Sequence, residues 1–186
     1  MKYNLGGRPT GSHFLGNRSP EYKNVNLEEG SDLPYDITEL DKFIPEDNVV
    51  EEFFMEHTLE HVPIPKYKEF LSDLHRKLKP GGSIVVIHTD AGHVINLWQQ
   101  GHLPFRCMKK TLFPPADYVA WNPLMAHQNM WTGGDLVMDF KAMGFDAQQF
   151  NAGFWDYDLT DEFYPLLDAT YQKVQIKNLG VIAIKI

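Results

Sequence analysis

A single cysteine, Cys107, leaves no partner for an intramolecular disulfide and no basis for a zinc cluster held by thiolates. Positive charge is also scarce. Lys and Arg number 17 against 25 Asp and Glu, a formal charge of −8 with histidine neutral. That balance argues against nucleic acid, whose binding rests on lysine and arginine releasing counterions. It also gives no polybasic attraction to a membrane. The one basic patch is local, at Arg106, Lys109 and Lys110. No apolar run approaches the ~20 residues that cross a bilayer. Gly6-Gly7 and Pro9 interrupt the opening residues, so no signal-peptide apolar region is expected. Internal repeats and low-complexity tracts are absent. What remains is ordinary globular composition, 43% hydrophobic and 23% charged over 186 residues. A soluble, cytoplasmic protein with a single domain over 1–186 is expected. Composition does not set its oligomeric state.

Two short apolar runs stand out, Val49 to Met55 and Ser83 to His88. The second is β-branched and bounded by Pro80-Gly81-Gly82 and Asp90-Ala91-Gly92, as a buried parallel strand reads. Between them Tyr67, Phe70, Leu71, Leu74 and Leu78 recur at helical spacing over Lys66 to Leu78. Pro65 suits the first turn of that helix, and Pro80 with Gly81 stops it. The succession is a βαβ unit with a right-handed crossover. Lys2 to Leu5 and Tyr22 to Leu27 read as earlier strands, with a third, short strand near Ile37. A helix is expected over Val94 to Gln100. Another runs from Leu136 to Met143, opened by Thr132-Gly133-Gly134-Asp135 and closed by Gly144. Strands follow at Asp146 to Phe150 and Leu179 to Ile186.

His57-Thr58-Leu59-Glu60-His61 matches H-x-x-E-H, in which two histidines one helical turn apart bind zinc and the glutamate activates water. Pro63 and Pro65 follow too closely for a long, rigid helix, and a further ligand must come from elsewhere. A second candidate site follows from topology, because open α/β sheets bind ligands beyond the carboxyl ends of their strands. Gly6-Gly7, Asn26, Asp36, Glu56-His57 and Thr89-Asp90 would gather along that edge. The missing side chains of Gly6 and Gly7 permit close backbone approach, although a glycine pair is more often only a turn.

Met55 to Val62, then His75-Arg76-Lys77-Leu78-Lys79-Pro80-Gly81-Gly82-Ser83-Ile84, resembles the class I S-adenosylmethionine-dependent methyltransferases. Within them the chain is most similar to the methyltransferase-11-like subgroup, with HxLEH followed by RxLKPGG. Asn4-Leu5-Gly6-Gly7 resembles the subgroup's first loop, Tyr22 to Asn26 its second strand, and Asp36-Ile37 its third-strand end. Met130 to Phe145 resembles its late helix. The resemblance implies an α/β, Rossmann-like sheet of about seven strands, mostly parallel with an antiparallel last strand and helices on both faces. It implies S-adenosylmethionine as cofactor and a small molecule as acceptor. Leu5, Gly6, Gly7, Asn26, Asp36, Glu56 and His57 would bind the cofactor, with His57 also the candidate general base, its free pKa being about 6.5. No resident metal is assigned. Two departures stand out: Arg8 where the family has a further glycine, and Asn26 where it has an acid that accepts from the ribose. Asn can accept through its carbonyl oxygen, without charge.

Three functions therefore stand in order. Methyl transfer from S-adenosylmethionine comes first, and a catalytically degenerate scaffold of the same fold second. Third is a zinc hydrolase built on His57, Glu60 and His61. Asp36 has two readings, an adenine contact or a turn cap. Glu60 and His61 are read as structural, and His127 with Trp131 as either pocket lining or core packing. The aromatic, proline-rich insertion at 90–125 is expected to cover the carboxyl edge of the sheet and wall the acceptor side; a partner interface is the plainer alternative.

Overall fold

The computed structural model describes residues 1–7, 20–27, 29–113, 126–158 and 173–186. Six strands form one sheet: β1 (Lys2–Leu5), β2 (Tyr22–Val25), β3 (Val50–Glu56), β4 (Leu78–Thr89), β5 (Phe145–Asp158) and β6 (Lys173–Lys185). Their order is β2-β1-β3-β4-β6-β5. The pairs β1–β2, β1–β3 and β3–β4 are parallel. The last strand, β6, lies antiparallel between β4 and β5. This is the mixed α/β sheet expected, with one strand fewer among the described residues than the resemblance implies.

The missing strand is the one expected near Ile37. Only Leu33 makes a parallel bridge, to Val25. Pro34 has no N–H to extend a ladder. Two residues on, the Asp36 carboxylate accepts from the Thr38 N–H at 2.9 Å and from its hydroxyl at 2.8 Å. That local turn competes with extension. Strand β2 likewise stops at Val25, short of Leu27. The last two strands run longer than their alternation suggests, because β5 continues through a register break between Asn151 and Phe154.

Helix α1 (Ile64–Lys77) buries Phe70, Leu71 and Leu74, the stripe read from its spacing. Its end passes into Lys79-Pro80-Gly81-Gly82, where β4 slips register against β3 between Val50 and Glu52. Gly81 holds φ +75°, a left-handed conformation a side chain rarely adopts. Helix α2 (Ala91–Gln99) is capped by Asp90, whose side chain accepts from the His93 N–H. Helix α3 is Phe105–Leu112 and α4 is Gly133–Ala142. Helix α4 opens on a capping box: the Thr132 hydroxyl accepts from the Asp135 N–H, and the Asp135 carboxylate accepts from the Thr132 N–H.

The main core joins one face of the sheet (Tyr3, Phe53, Met55, Ile84, Val86) to α1 and α4. Helices α2 and α3 pack a second cluster onto Ile176 of β6. Ile176 is of opposite parity to Val181 and Ala183 in the main core, so by strand alternation it points to the other face. The middle of that second face carries a cluster of strand residues, Tyr22, Phe54, Ile87 and Ala152. None of the described helices is long and apolar enough to cross a membrane.

At the opposite end from the strand tips, Lys77 is fully buried and its ammonium donates to the Pro45 carbonyl at 3.3 Å and to Asp47 at 3.0 Å. It also pairs with Asp41, and Arg76 joins Asp41, Asp47 and Asp73 in the same cluster. Hydrogen bonds from Lys77, then Arg76, hold the Asp41 carboxyl below the usual range, and Lys77 does the same for Asp47. A carboxyl depressed in the folded state contributes stability that is complete above its unfolded pKa, about 3.9, and is lost as pH falls through the folded value. The unfolding midpoint is therefore expected to drop as pH is lowered below about 4. An Asp41→Asn/Asp47→Asn double variant should show a flatter profile than the parent. The difference should shrink in high salt, since both carboxylates face solvent. Parallel profiles for the two proteins would contradict this assignment.

Candidate functional site

The parallel strands deliver their carboxyl ends to one edge, and most of the expected residues gather there. Strand β1 ends at Leu5, which is fully buried, so only its backbone can meet a ligand. Gly6 follows with φ +73°. A Cβ built on it would lie 2.3 Å from Thr58 Oγ1, and one on Gly7 would lie 2.2 Å from Asn4 Nδ2. The glycine pair therefore lets the first loop fold tightly over two buried polar side chains that the sequence reading did not single out. Thr58 is fixed by donating to the Glu56 carbonyl at 3.0 Å, and Asn4 by donating to Asn24 Oδ1 at 3.0 Å.

Asn26 braces the same loop. Its Nδ2 donates to the Gly6 carbonyl at 3.4 Å, and the Gly6 N–H donates to the Val25 carbonyl at 2.8 Å. Among the described residues nothing donates to Asn26 Oδ1, which can accept from a ligand. Asp36 caps its own turn through Oδ1 as described above. Of its two expected roles the cap is the one formed, and it leaves Oδ2 as an acceptor. Arg8 and residues 114–125 of the insertion lie outside the described residues.

Beyond β3, His57 adopts φ +48°, an uncommon conformation for a residue with a side chain. Its N–H donates to the Ile87 carbonyl at 2.8 Å, so the ring stands at the junction of β3 and β4. The His57–His61 stretch does not form the helical turn of the zinc-protease pattern. Leu59–His61 is a short 3-10 turn, and Glu60 folds inward, its side chain only 7% exposed. His57 Nδ1 lies 3.5 Å from Glu60 Oε1. Burial works against charge on both, but the mutual hydrogen bond and opposite charges outweigh it. His57 is raised above the ordinary imidazole value, and Glu60 is lowered to about 2.

Behind this pair is a small cavity of about 20 Å³. Glu60, His88, Leu112, His127, Asn129 and Trp131 help line it. His88, at the end of β4, is buried, and burial lowers its pKa, so the ring is neutral at pH 7. Its signal in the sequence was faint: one histidine closing an apolar run. His127 and Trp131 were expected to line the substrate pocket or to pack in the core; both border this small cavity, and Trp131 is also part of the core. Trp131 belongs to the main core and meets His88 edge-on, ring centroids 5.7 Å apart. The segment after residue 125 is tied to the 3-10 turn, because the Gln128 and Asn129 N–H groups donate to the Glu60 carbonyl at 2.7 and 3.2 Å.

No protein-family model matches the sequence, and no curated protein matches it. Solved structures do match. An S-adenosylmethionine-dependent methyltransferase from Archaeoglobus fulgidus superposes with a TM-score of 0.63 at 15% identity, over 99% of this chain and 85% of that one. One from Thermotoga maritima gives 0.58 at 12% identity, over 100% and 82%. The 1,6-didemethyltoxoflavin-N1-methyltransferase of Burkholderia thailandensis, with its acceptor and S-adenosylhomocysteine bound, gives 0.55 at 13% identity, over 99% and 70%. The chain has a methyltransferase-like α/β fold.

Proposed function

We propose that the protein transfers a methyl group from S-adenosylmethionine to a small acceptor. The observation that carries this reading is the glycine turn at the end of β1, closed over Thr58 and Asn4 and braced by Asn26, at the edge where such folds take ligands. The residues there suit the cofactor's donors. Asn26 Oδ1 can accept from ribose hydroxyls, and Asp36 Oδ2 from the adenine amino group. Glu56 and His57 stand at the tip of the neighbouring strand. The likeness of this fold to that of methyltransferases supports the activity, and the S-adenosylhomocysteine bound to the Burkholderia thailandensis enzyme supports the ligand.

When bound, S-adenosylmethionine supplies a methyl group on a sulfonium whose departing sulfur becomes a neutral thioether. Little covalent help is then needed from the protein, and alignment supplies several kcal/mol. The Gly6-Gly7 loop and the acceptors on Asn26 and Asp36 fix the cofactor side. His57, held by Glu60, takes a proton at its unprotonated ring nitrogen where the acceptor must lose one. Residues 90–113, the described part of the insertion, begin directly beyond the carboxyl end of β4 and form the acceptor-side wall.

A second reading, a scaffold that has lost the cofactor, is favoured by Asn26 spending its amide on the protein's own loop. Titration calorimetry with S-adenosylhomocysteine separates the two. A one-to-one isotherm is expected for the parent protein. Silence up to millimolar ligand would remove the enzyme reading. Binding that emerges only in Asn26→Asp would establish the scaffold.

A further inference from the structure

The histidines around Glu60 exceed what methyl transfer needs. Glu60 is buried, and its Oε1 faces His57. Its Oε2 is also buried and has no hydrogen-bond partner among the described residues. One ligand atom each from Glu60, His61 and His127 lie within 4.8 Å of one another. The His61 and His127 rings meet edge to face, centroids 4.9 Å apart. His88, buried on the neighbouring cavity, has an Nε2 with no hydrogen-bond partner among the described residues.

The tautomers agree. His61 Nδ1 lies 3.3 Å from the Ala126 carbonyl, His127 Nδ1 2.9 Å from the Leu112 carbonyl, and His88 Nδ1 2.8 Å from the Thr89 carbonyl. A carbonyl only accepts, so each Nδ1 carries the proton and each Nε2 presents a lone pair. Rings fixed in this way by a backbone carbonyl are the usual support of metal-binding histidines. The Glu60 carboxylate is supported in parallel by His57.

We propose that Glu60, His61 and His127 form a binding site for a divalent transition-metal ion of the zinc class, with the fourth position taken by water. Imidazoles with one carboxylate suit such borderline ions, whereas magnesium and calcium take oxygen shells. Glu60 and His127 also border the neighbouring cavity, which has room for one water-sized occupant and no organic molecule. A tetrahedral shell with bonds of 2.0–2.1 Å spaces its donors roughly 3.4 Å apart, so the side chains close by about 1 Å on the ion. This is not the H-x-x-E-H arrangement. The glutamate is a ligand, His57 supports it from behind, and the third ligand comes from His127, far along the chain. It also departs from the expectation of no resident metal. The site does not depend on S-adenosylmethionine.

The test uses untagged, chelator-treated full-length protein titrated with zinc, and with cobalt read by visible absorption. One equivalent is expected, with the intense bands of a tetrahedral cobalt site, unaffected by millimolar magnesium. His61→Ala and His127→Ala should each weaken binding about 100-fold or more, whereas His93→Ala and His102→Ala on other surfaces should not change it. Should a site variant fail to fold, the parent protein still decides: zinc must shift the side-chain nitrogen resonances of His61 and His127. No zinc binding, retained affinity in a folded His61→Ala/His127→Ala variant, or unmoved resonances would overturn the site.

Discussion

Gly6→Ala is expected to destabilise the fold by roughly 2–5 kcal/mol and to abolish measurable S-adenosylhomocysteine binding. Two separate costs combine. A side chain at φ +73° enters left-handed backbone space, costing about 1–2 kcal/mol. The new Cβ also falls 2.3 Å from Thr58 Oγ1 and 2.5 Å from its Cγ2, so the loop or Thr58 must move. Thr58 cannot swing freely, because it is buried and its hydroxyl donates to Glu56. The two costs separate in a double variant. Gly6→Ala/Thr58→Ala removes both close contacts and should recover the steric part while leaving the backbone part. Chemical denaturation of the four proteins measures this cycle. Calorimetry on the folded fraction reads the ligand. Full stability in Gly6→Ala would mean that the loop does not lie over Thr58. Lost stability with undiminished affinity would mean that the loop does not hold the cofactor.

Much of this arrangement could be read from local chemistry. Helix α1 was legible because Phe70, Leu71 and Leu74 repeat at helical spacing between proline and glycine signals. The βαβ unit followed from it, and the carboxyl edge followed from the βαβ unit. Helix α4 was legible through its Thr132 cap. The strand near Ile37 failed because Asp36-Ile37 has strand-like residues but a side chain that bonds its own backbone at Thr38. Strand β5 was underestimated because Asn151 to Gly153 reads as a turn, while pairing with β6 carries the strand past it. At the candidate site, Gly6-Gly7 and Asn26 were singled out by position, and the structure brings them together. The partners they fold against, Thr58 and Asn4, were not, since a steric contact between distant segments leaves no local pattern. His88 and His127 illustrate the same limit. Each sits in an unremarkable local string, and only the tertiary approach of β4, the 3-10 turn and the 126–131 segment makes them a cluster with Glu60.

Phe53→Ala is expected to cost about 3–5 kcal/mol, a third or more of the stability of an ordinary domain. Phe53 is fully buried at the centre of β3, itself between β1 and β4. Its ring lies 6.1 Å from that of Tyr3 and faces the main core under α1. Neighbours on regular strands relax poorly around such a loss, so a cavity persists and adds to the lost transfer energy. The effect reaches the site because β3 runs straight into Glu56, His57 and the Glu60 turn. Urea denaturation should show a lower midpoint with unchanged slope if the damage is confined to the core. A ligand that binds only the folded state then restores stability by mass action, by about 2.7 kcal/mol at one hundred times its dissociation constant. S-adenosylhomocysteine and zinc should therefore each raise the Phe53→Ala midpoint, and together they should add, because they occupy different parts of the carboxyl edge. Rescue by zinc alone would separate the metal site from the methyltransferase reading. Rescue by S-adenosylhomocysteine alone would do the reverse.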